Sequence, residues 1–188
     1  MKPVERHEIV DYVTYEDQRN EFRAQVMKVK APRRVHIGEY FTLLFENQLT
    51  VRYQIQEMIR TERIVRESDI LHEIRTYNEL LGRDGELGCT LLIEIEDPAV
   101  RDHKLREWWQ LPEKIYLLLE DGTRIPSTLD ERQRSDARLS SVQYLKFETR
   151  GRVPTAVGVD LPGLQLETRL GEDQREALRE DLAEKRGA

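Results

Sequence analysis

Residues 114–129 read KIYLLLEDGTRIPSTL, with an apolar run on either side of Asp121 and Gly122. An Asp-Gly pair between two such runs is typical of a β-hairpin with a two-residue type I′ turn, in which both turn residues take a positive φ. A loop this short joins only antiparallel strands. The segment therefore predicts a sheet with antiparallel pairing.

The rest of the chain mixes strand-like and helix-like segments. Two-residue alternation of apolar side chains predicts strands over 33–38, 40–47, 89–96, 141–148 and, as the last of the chain, 155–160. Apolar positions three and four residues apart predict helices over 15–30, 50–65, 69–81 and 97–110. Because strands in hairpins mix with helices without a strict alternation, we predict an α+β fold. Its mainly antiparallel sheet, built from hairpins, packs with about four helices, and a short C-terminal helix follows.

The length of 188 residues suits one domain with a hydrophobic core. The last stretch reads GEDQREALREDLAEKRGA and predicts a polar helix with a thin apolar stripe of Ala177, Leu178 and Leu182. We therefore predict a single α+β domain over residues 1–170 and a C-terminal helical tail over residues 171–188.

The composition argues against several classes of protein. A net charge of −6 and a pI near 5.4 disfavour a general nucleic-acid binder, because that function needs a surplus of Lys and Arg. The single cysteine excludes an internal disulfide and any zinc or iron–sulfur site built from cysteines of this chain. No apolar run approaches the roughly 20 residues of a membrane span, and the first residues lack the apolar segment of a signal peptide. We expect a cytoplasmic protein that does not contact membranes.

No stretch of the sequence carries a strong catalytic motif. The chain lacks a Gly-x-Ser-x-Gly elbow, a phosphate-binding loop and a Gly-x-Gly-x-x-Gly turn. His103 and Glu107 have the spacing of two metal ligands on one helical turn, but no third ligand is near them in the sequence. His36 lies on a predicted strand without a defined partner. We therefore predict no metal site and no cofactor, and no catalytic residue is assigned.

A carboxylate interrupts the apolar face of the helix predicted over residues 50–65. At about 100° per residue, Glu62 lies near the centre of the apolar sector and Gln54 lies at its border. A buried carboxylate without a partner is costly, so Glu62 needs a partner or a ligand unless the helix ends before it. One interpretation is a salt bridge with an arginine at the edge of the core. The other is a polar pocket in which Glu46, Gln54 and Glu62 bind a small molecule or a metal.

Two features predict a surface for a partner. The segment KVKAPRR places Lys28, Lys30, Arg33 and Arg34 close together at a helix end, where cations favour the negative end of the helix dipole. The alternative interpretation is a docking patch for an acidic partner or a phosphate. The second feature is the pair of tryptophans at 108–109. The predicted helix turns Trp109 toward the core and leaves Trp108 at the edge of its buried face, where an exposed indole would anchor an interface.

Several stretches together resemble an uncharacterised bacterial family, the domain-of-unknown-function family numbered 3501. These stretches are LLFENQLTVRYQIQEMIRTERI (43–64), LLIEIED (91–97), SSVQYLKF (140–147) and DLPGLQLETRLGEDQREALREDL (160–182). Genes of that family often neighbour those of a rubrerythrin-like di-iron protein and of an iron–sulfur protein similar to heterodisulfide reductase subunits. The resemblance therefore implies a role near electron transfer or peroxide defence. It assigns no catalytic residue.

The chain lacks the Glu-x-x-His pairs of ferritin-like di-iron sites, so the resemblance favours an accessory role beside such a protein. Our leading hypothesis is a non-catalytic cytoplasmic accessory or interaction protein of a redox or oxidative-stress system, with a rubrerythrin-like or iron–sulfur protein as its partner. The alternative is a small-molecule or metal-binding domain, an enzyme included, with its pocket around Glu62. Nucleic-acid binding through the basic segment ranks last because of the net negative charge.

Overall fold

Two antiparallel sheets form the centre of the protein in a computed structural model, which describes residues 1–129 and 138–184. Their strands are β1 (Arg34–Ile37), β2 (Phe41–Glu46), β3 (Glu86–Ile93), β4 (Ile115–Leu118), β5 (Arg124–Pro126), β6 (Thr128–Leu129), β7 (Val142–Glu148), β8 (Ala156–Leu161) and β9 (Leu164–Arg169). The five-stranded sheet has the order β1-β2-β3-β7-β6 and the four-stranded sheet has the order β5-β4-β8-β9.

One face of the five-stranded sheet packs into a core that it shares with the other sheet. Phe41, Leu43 and Phe45 alternate along β2 toward this core and are buried. The rings of Phe45 and of Phe147 on β7 approach to 6.4 Å across the intervening strand β3. At the sheet edges, β1 contacts β9 and β5 contacts β7. The two sheets therefore enclose one hydrophobic core between them and contact each other on either side of it.

The hairpin predicted over residues 114–129 is confirmed, but the predicted turn type is wrong. β4 and β5 pair antiparallel. Gly122 has a φ of +81°, whereas Asp121 is not among the described residues with a positive φ. The amide of Gly122 donates a hydrogen bond to the carbonyl oxygen of Leu119 at 3.0 Å. A longer turn that ends in a left-handed glycine closes the hairpin, which is a common alternative to the two-residue loop.

Five α-helices occur in the described residues: α1 (Tyr12–Lys30), α2 (Gln48–Glu62), α3 (Glu67–Asn78), α4 (Pro98–Glu107) and α5 (Glu172–Ala183). Asp11, Asn47 and Asp97 cap α1, α2 and α4 by accepting hydrogen bonds from amides of the first turn. None of these helices is both long enough and apolar enough to cross a bilayer. The α+β class with a short C-terminal helix is confirmed, although the strands divide into two sheets rather than one.

The prediction that residues 155–160 form the last strand is wrong, because β9 follows. Its apolar residues Leu164 and Leu166 alternate with the polar residues Gln165 and Glu167. β9 pairs antiparallel with β8 across a short turn in which Gly163 has a φ of +78°. Only one face of this strand is half-buried, and so its apolar signal is weak.

The outer face of the five-stranded sheet carries α2 and α3. Leu44 and Thr90 point away from the shared core and are nevertheless buried. The hydroxyl of Thr50 on α2 reaches Glu46 at the end of β2. Lys146 on β7 donates a hydrogen bond to the carbonyl oxygen of Leu81, just after α3, at 2.6 Å. β2 is consequently buried on both faces.

A charged network joins α1 to α2. One carboxylate oxygen of Glu57 on α2 accepts hydrogen bonds from the Tyr15 hydroxyl at 2.7 Å and from Nε of Arg19 at 2.8 Å. The other accepts from Nη2 of Arg19 at 3.0 Å. Burial raises the pKa of Glu57, but the hydrogen bonds from Arg19 and Tyr15 outweigh burial, and the net pKa lies below the usual 4.5. The network therefore favours the ionised carboxylate.

A buried ion pair holds α5 against the end of α1. Nε and Nη2 of Arg33 donate to the two carboxylate oxygens of Asp181 at 2.8 Å and 2.9 Å, and both side chains are buried. Nη1 of Arg33 donates to the carbonyl oxygen of Val29 at 2.9 Å. Residues 185–188 of the predicted tail lie outside the described residues. The division into a domain over 1–170 and a tail over 171–188 stays a prediction.

We expect Asp181→Ala to lower the free energy of unfolding by about 3–5 kcal/mol, because it leaves the Arg33 guanidinium buried without its carboxylate. The double variant Arg33→Met with Asp181→Leu replaces both charges with apolar side chains and should lose clearly less. Urea unfolding of the three proteins gives the comparison. A double variant as unstable as Asp181→Ala would contradict this account.

The lowered pKa of Glu57 predicts a pH-dependent contribution to stability. A carboxylate with a depressed native pKa stabilises fully above its unfolded pKa, and this contribution disappears as the pH falls through the native value. Glu57→Gln should therefore cost about 1.5–3 kcal/mol at neutral pH. The difference from wild type should shrink below the usual pKa of 4.5. Unfolding curves of wild type, Glu57→Gln and the exposed-site control Glu21→Gln across this range test the prediction, and a pH-independent difference would contradict it.

Candidate functional site

A buried carboxylate lies where β2 meets α2. Glu46 is the last residue of β2 and is 1% exposed. One of its oxygens accepts hydrogen bonds from the hydroxyl of Thr90 at 2.6 Å and from the amide nitrogen of Gln54 at 3.0 Å. The other accepts from the hydroxyl of Thr50 at 2.5 Å. We call Glu46, Thr50, Gln54 and Thr90 the Glu46 cluster.

The local fold explains why these four side chains meet. Asn47 caps α2 directly after Glu46, so Thr50 and Gln54 fall on the first turns of the helix, on one side of it. Thr90 comes from the neighbouring strand, where it pairs with Leu44. Side chains diagonally across two antiparallel strands lie on the same face within reach of one another. The cluster therefore joins two strands to one helix.

The hydrogen-bond donors to Glu46 are neutral, and Lys30 is a cation near it. Its ammonium group lies 5.1 Å from the centre of the Tyr53 ring. Burial lowers the pKa of Lys30, and the charge of Glu46 opposes that effect. Burial, with a smaller contribution from Glu46, raises the pKa of the Cys89 thiol well above its usual value. Cys89 is therefore a buried, unreactive core residue, as the strand pattern predicts.

The Glu46 cluster is suited to fix structure more than to bind a ligand. The hydroxyl and amide donors of the cluster already engage both carboxylate oxygens, and the side chain is buried. A general base must reach its substrate directly or through one water. Glu46 is unsuited to that role, because it is buried and both of its oxygens are already hydrogen-bonded within the protein. Among the residues that the structure describes, no three His, Cys, Asp or Glu side chains form a group that could hold a metal ion.

Glu62, the third member of the predicted pocket, does not join this cluster. It is the last residue of α2 and is exposed, so its predicted burial is wrong. The buried stripe of the helix ends at Ile59, and Arg63 then takes a left-handed conformation with φ 49°. The helical wheel extends the apolar face by one turn beyond the core. The structure thus brings together Glu46 and Gln54 and leaves Glu62 in solvent.

The basic segment does not form one continuous patch. Lys28 and Arg34 are exposed and Lys30 is half-buried, whereas Arg33 is buried against Asp181. Here a helix end, a 3-10 turn and a strand follow one another, so successive side chains point in different directions. The predicted docking patch retains only Lys28 and Arg34 as exposed cations.

The burial of the two tryptophans is the reverse of the prediction. Trp108 is 4% exposed and Trp109 is 51% exposed. The centroid of the Trp108 ring lies 5.1 Å from the ring centroid of Phe41 and 6.0 Å from the ring centroid of Tyr40. α4 ends at Glu107, earlier than predicted, so helical periodicity no longer decides which indole points inward. The assignment of Trp108 to a partner surface is wrong, and Trp109 is the exposed indole.

A second polar cluster, missed in the sequence, surrounds His36. The cross-strand partner of His36 is Thr42, whose hydroxyl lies 2.8 Å from Nδ1 of His36 and 2.5 Å from Oε2 of Glu94. An ionised carboxylate only accepts hydrogen bonds, so Thr42 donates its single proton to Glu94 and accepts from Nδ1–H. Counting outward from the two-residue turn predicted at 38–39 would pair His36 with Phe41. The actual loop also includes Tyr40, and this shift of one residue places Thr42 opposite His36.

Comparisons with known proteins identify a family. The family described as "Protein of unknown function (DUF3501)" matches residues 3–182. A crystal structure of a novel protein of unknown function from Burkholderia pseudomallei K96243 superposes with a TM-score of 0.88 and 29% sequence identity. The superposition covers 95% of this chain and 98% of that one. No curated protein matches the chain.

We expect Glu46→Ala to lower the free energy of unfolding by about 2–4 kcal/mol, because it leaves buried donors without their acceptor. The matched control Glu62→Ala removes an exposed carboxylate nearby in sequence and should change stability by no more than about 0.5 kcal/mol. Urea unfolding measures both. Equal losses in the two variants would contradict the placement of these side chains.

Proposed function

The chain belongs to the DUF3501 family of proteins of unknown function, and on that premise we propose that it is a non-catalytic cytoplasmic accessory protein. Its partner, on this proposal, is a redox protein of the rubrerythrin-like or iron–sulfur type, the context that the family resemblance implies. The observation that carries the proposal is the exposed indole of Trp109. Large aromatic side chains at a surface are the residues that most often anchor protein interfaces.

The backbone under Trp109 is firmly held. The amide of Trp108 donates to the carbonyl oxygen of Lys104 at 2.9 Å, and the amide of Leu111 donates to that of Trp108 at 2.8 Å. The Trp108 and Leu111 side chains on either side are buried. An anchor on an ordered turn loses little conformational freedom when a partner binds.

The helix that precedes Trp109 in the chain carries charges of both signs that are largely paired. On α4, Arg106 contacts Asp102 at 3.1 Å and Lys104 contacts Glu107 at 2.8 Å. Arg138 adds a second contact to Asp102 at 2.7 Å. An apolar anchor within a polar rim is the usual anatomy of a non-obligate interface. Such an interface suits an accessory protein that joins and leaves a redox complex.

The alternative function, a small-molecule or metal-binding domain, has weaker support. Of its proposed ligand set, Glu46 and Gln54 contact each other, at 3.0 Å, but Glu62 is exposed at the end of α2. The carboxylate of Glu46 is already hydrogen-bonded within the protein. A ligand at this position would have to displace those bonds.

The interaction can be tested with the rubrerythrin-like and the iron–sulfur protein of the same organism, each purified. Calorimetric titration should show saturable binding of wild type to one of them. Trp109→Ala should weaken that binding by at least about tenfold, as expected for an interface anchor. Circular dichroism of the variant checks that the fold is retained.

Val65→Ala is the matched control, since Val65 is the most exposed large apolar side chain within residues 1–129 and 138–184, at 73%. It should bind as wild type does. Absence of binding to both redox proteins would overturn the proposed partner. Equal binding by wild type and Trp109→Ala would overturn the proposed surface.

A further inference from the structure

A cleft of about 540 Å³ opens between the β4–β5 turn, the segment before β8 and helix α5. It lies apart from the Glu46 cluster and from Trp109, which are not among its lining residues. We call it the arginine cleft, because three of its lining side chains are arginines. It is lined by Leu119, Glu120, Asp121, Arg152, Val153, Arg175 and Arg179.

Two separate parts of the chain supply the arginines. Arg175 and Arg179 are one turn apart on α5, so they project from the same side of the helix. Arg152 comes from the segment between β7 and β8, where its amide donates to the carbonyl oxygen of Thr149 at 3.1 Å. The preceding Gly151 has a φ of +76°, a conformation that glycine adopts without strain. The folded backbone therefore brings three guanidinium groups to one cleft.

The carboxylates that contact these arginines would compete only weakly with an anionic ligand. Arg152 pairs with Asp121 at 2.8 Å, and both side chains are about half exposed. Arg175 contacts Glu172 at 3.6 Å, and Arg179 contacts Glu176, each within α5 itself. Exposed pairs of this kind contribute little to stability. An incoming anion can therefore recruit the guanidinium groups at low cost.

Arg175 retains an unused donor. Its Nε is inaccessible to solvent and has no hydrogen-bond acceptor within residues 1–129 and 138–184. A buried donor without an acceptor is unfavourable, and an acceptor that reaches it gains the full benefit of the hydrogen bond. Arg175, which lines the cleft, therefore has hydrogen-bonding capacity that its contact with Glu172 does not use.

The charge and the walls of the cleft narrow the class of ligand. The lining residues carry three arginines and two acidic side chains, Glu120 and Asp121, a surplus of one positive charge on a chain with a net charge of −6. Glu172 and Glu176, which contact two of these arginines, are not lining residues. Planar guanidinium groups match phosphate oxygens with paired hydrogen bonds. Leu119 and Val153 add apolar wall in a cleft larger than a phosphate ion needs. We propose that the arginine cleft binds a small organic phosphate, with the phosphoryl group on the arginines and the organic part on the apolar wall.

Phenyl phosphate is a suitable probe for the full chain, titrated by calorimetry at constant ionic strength. Inorganic phosphate lacks the phenyl ring and so tests the contribution of the apolar wall. Benzoate carries a carboxylate in place of the phosphate and so tests the preference for a phosphoryl group. Phenyl phosphate should bind saturably, and at least about tenfold tighter than either of the other probes. No saturable binding of phenyl phosphate, or equal binding of benzoate, would overturn the proposal. Equal binding of inorganic phosphate would overturn the part assigned to Leu119 and Val153.

Charge-matched variants separate a built site from general attraction of anions. Arg152→Gln and Arg179→Gln each remove one guanidinium from the cleft and should weaken phenyl phosphate binding by at least about tenfold. Arg66→Gln removes an exposed cation before α3 and should bind within about twofold of wild type. Equal weakening in all three variants would show attraction by net charge alone and would overturn the proposal. Thermal unfolding without ligand checks that each variant is folded.

Discussion

Burial of the Glu46 carboxylate constrains how the helices sit on the sheet. An ionised group out of water needs donors in fixed positions, and here these come from α2 and from β3. Thr50 and Gln54 can reach Glu46 only if α2 begins directly after β2, which the Asn47 cap secures. The direction in which α2 leaves the sheet, and with it the packing of α1 and α3 beside α2, depends on this group of hydrogen bonds.

Helices α1 and α5 are attached by the same kind of contact. Glu57 joins α2 to α1 through Arg19 and Tyr15, and Arg33 joins α5 to the end of α1 through Asp181. The sheets, in contrast, are held by apolar side chains in one shared core. Apolar packing tolerates small shifts of position, whereas a charge pair out of water requires defined geometry. The apolar core thus supplies most of the stability, and these polar contacts determine where α1, α2 and α5 lie.

Local patterns in the sequence predict most elements of this fold, and fail where an element ends. Alternation along 89–96 and 141–148 and the turn at Gly122 indicate antiparallel strands, which the structure contains. Glu62 is misplaced because the buried stripe of α2 ends at Ile59, one turn before the helix itself ends. Trp108 is misplaced because the helical wheel continues past Glu107, where α4 stops. Thr90 joins the Glu46 cluster through strand pairing between distant segments. That register is not evident from one sequence, because no local signal links the two strands.

The placement of Cys89 limits the chemistry that this chain could supply to the redox partner that we propose. Cys89 is the single cysteine of the sequence, it points into the core, and its raised pKa keeps the thiol protonated. Thiol redox chemistry requires an accessible thiolate, so this side chain is unsuited to exchange electrons with a partner. The features suited to contact other molecules are instead at the surface, on the α4 turn and beside α5. An accessory protein with this distribution acts by binding, and on our proposal the electron chemistry belongs to the partner that it contacts.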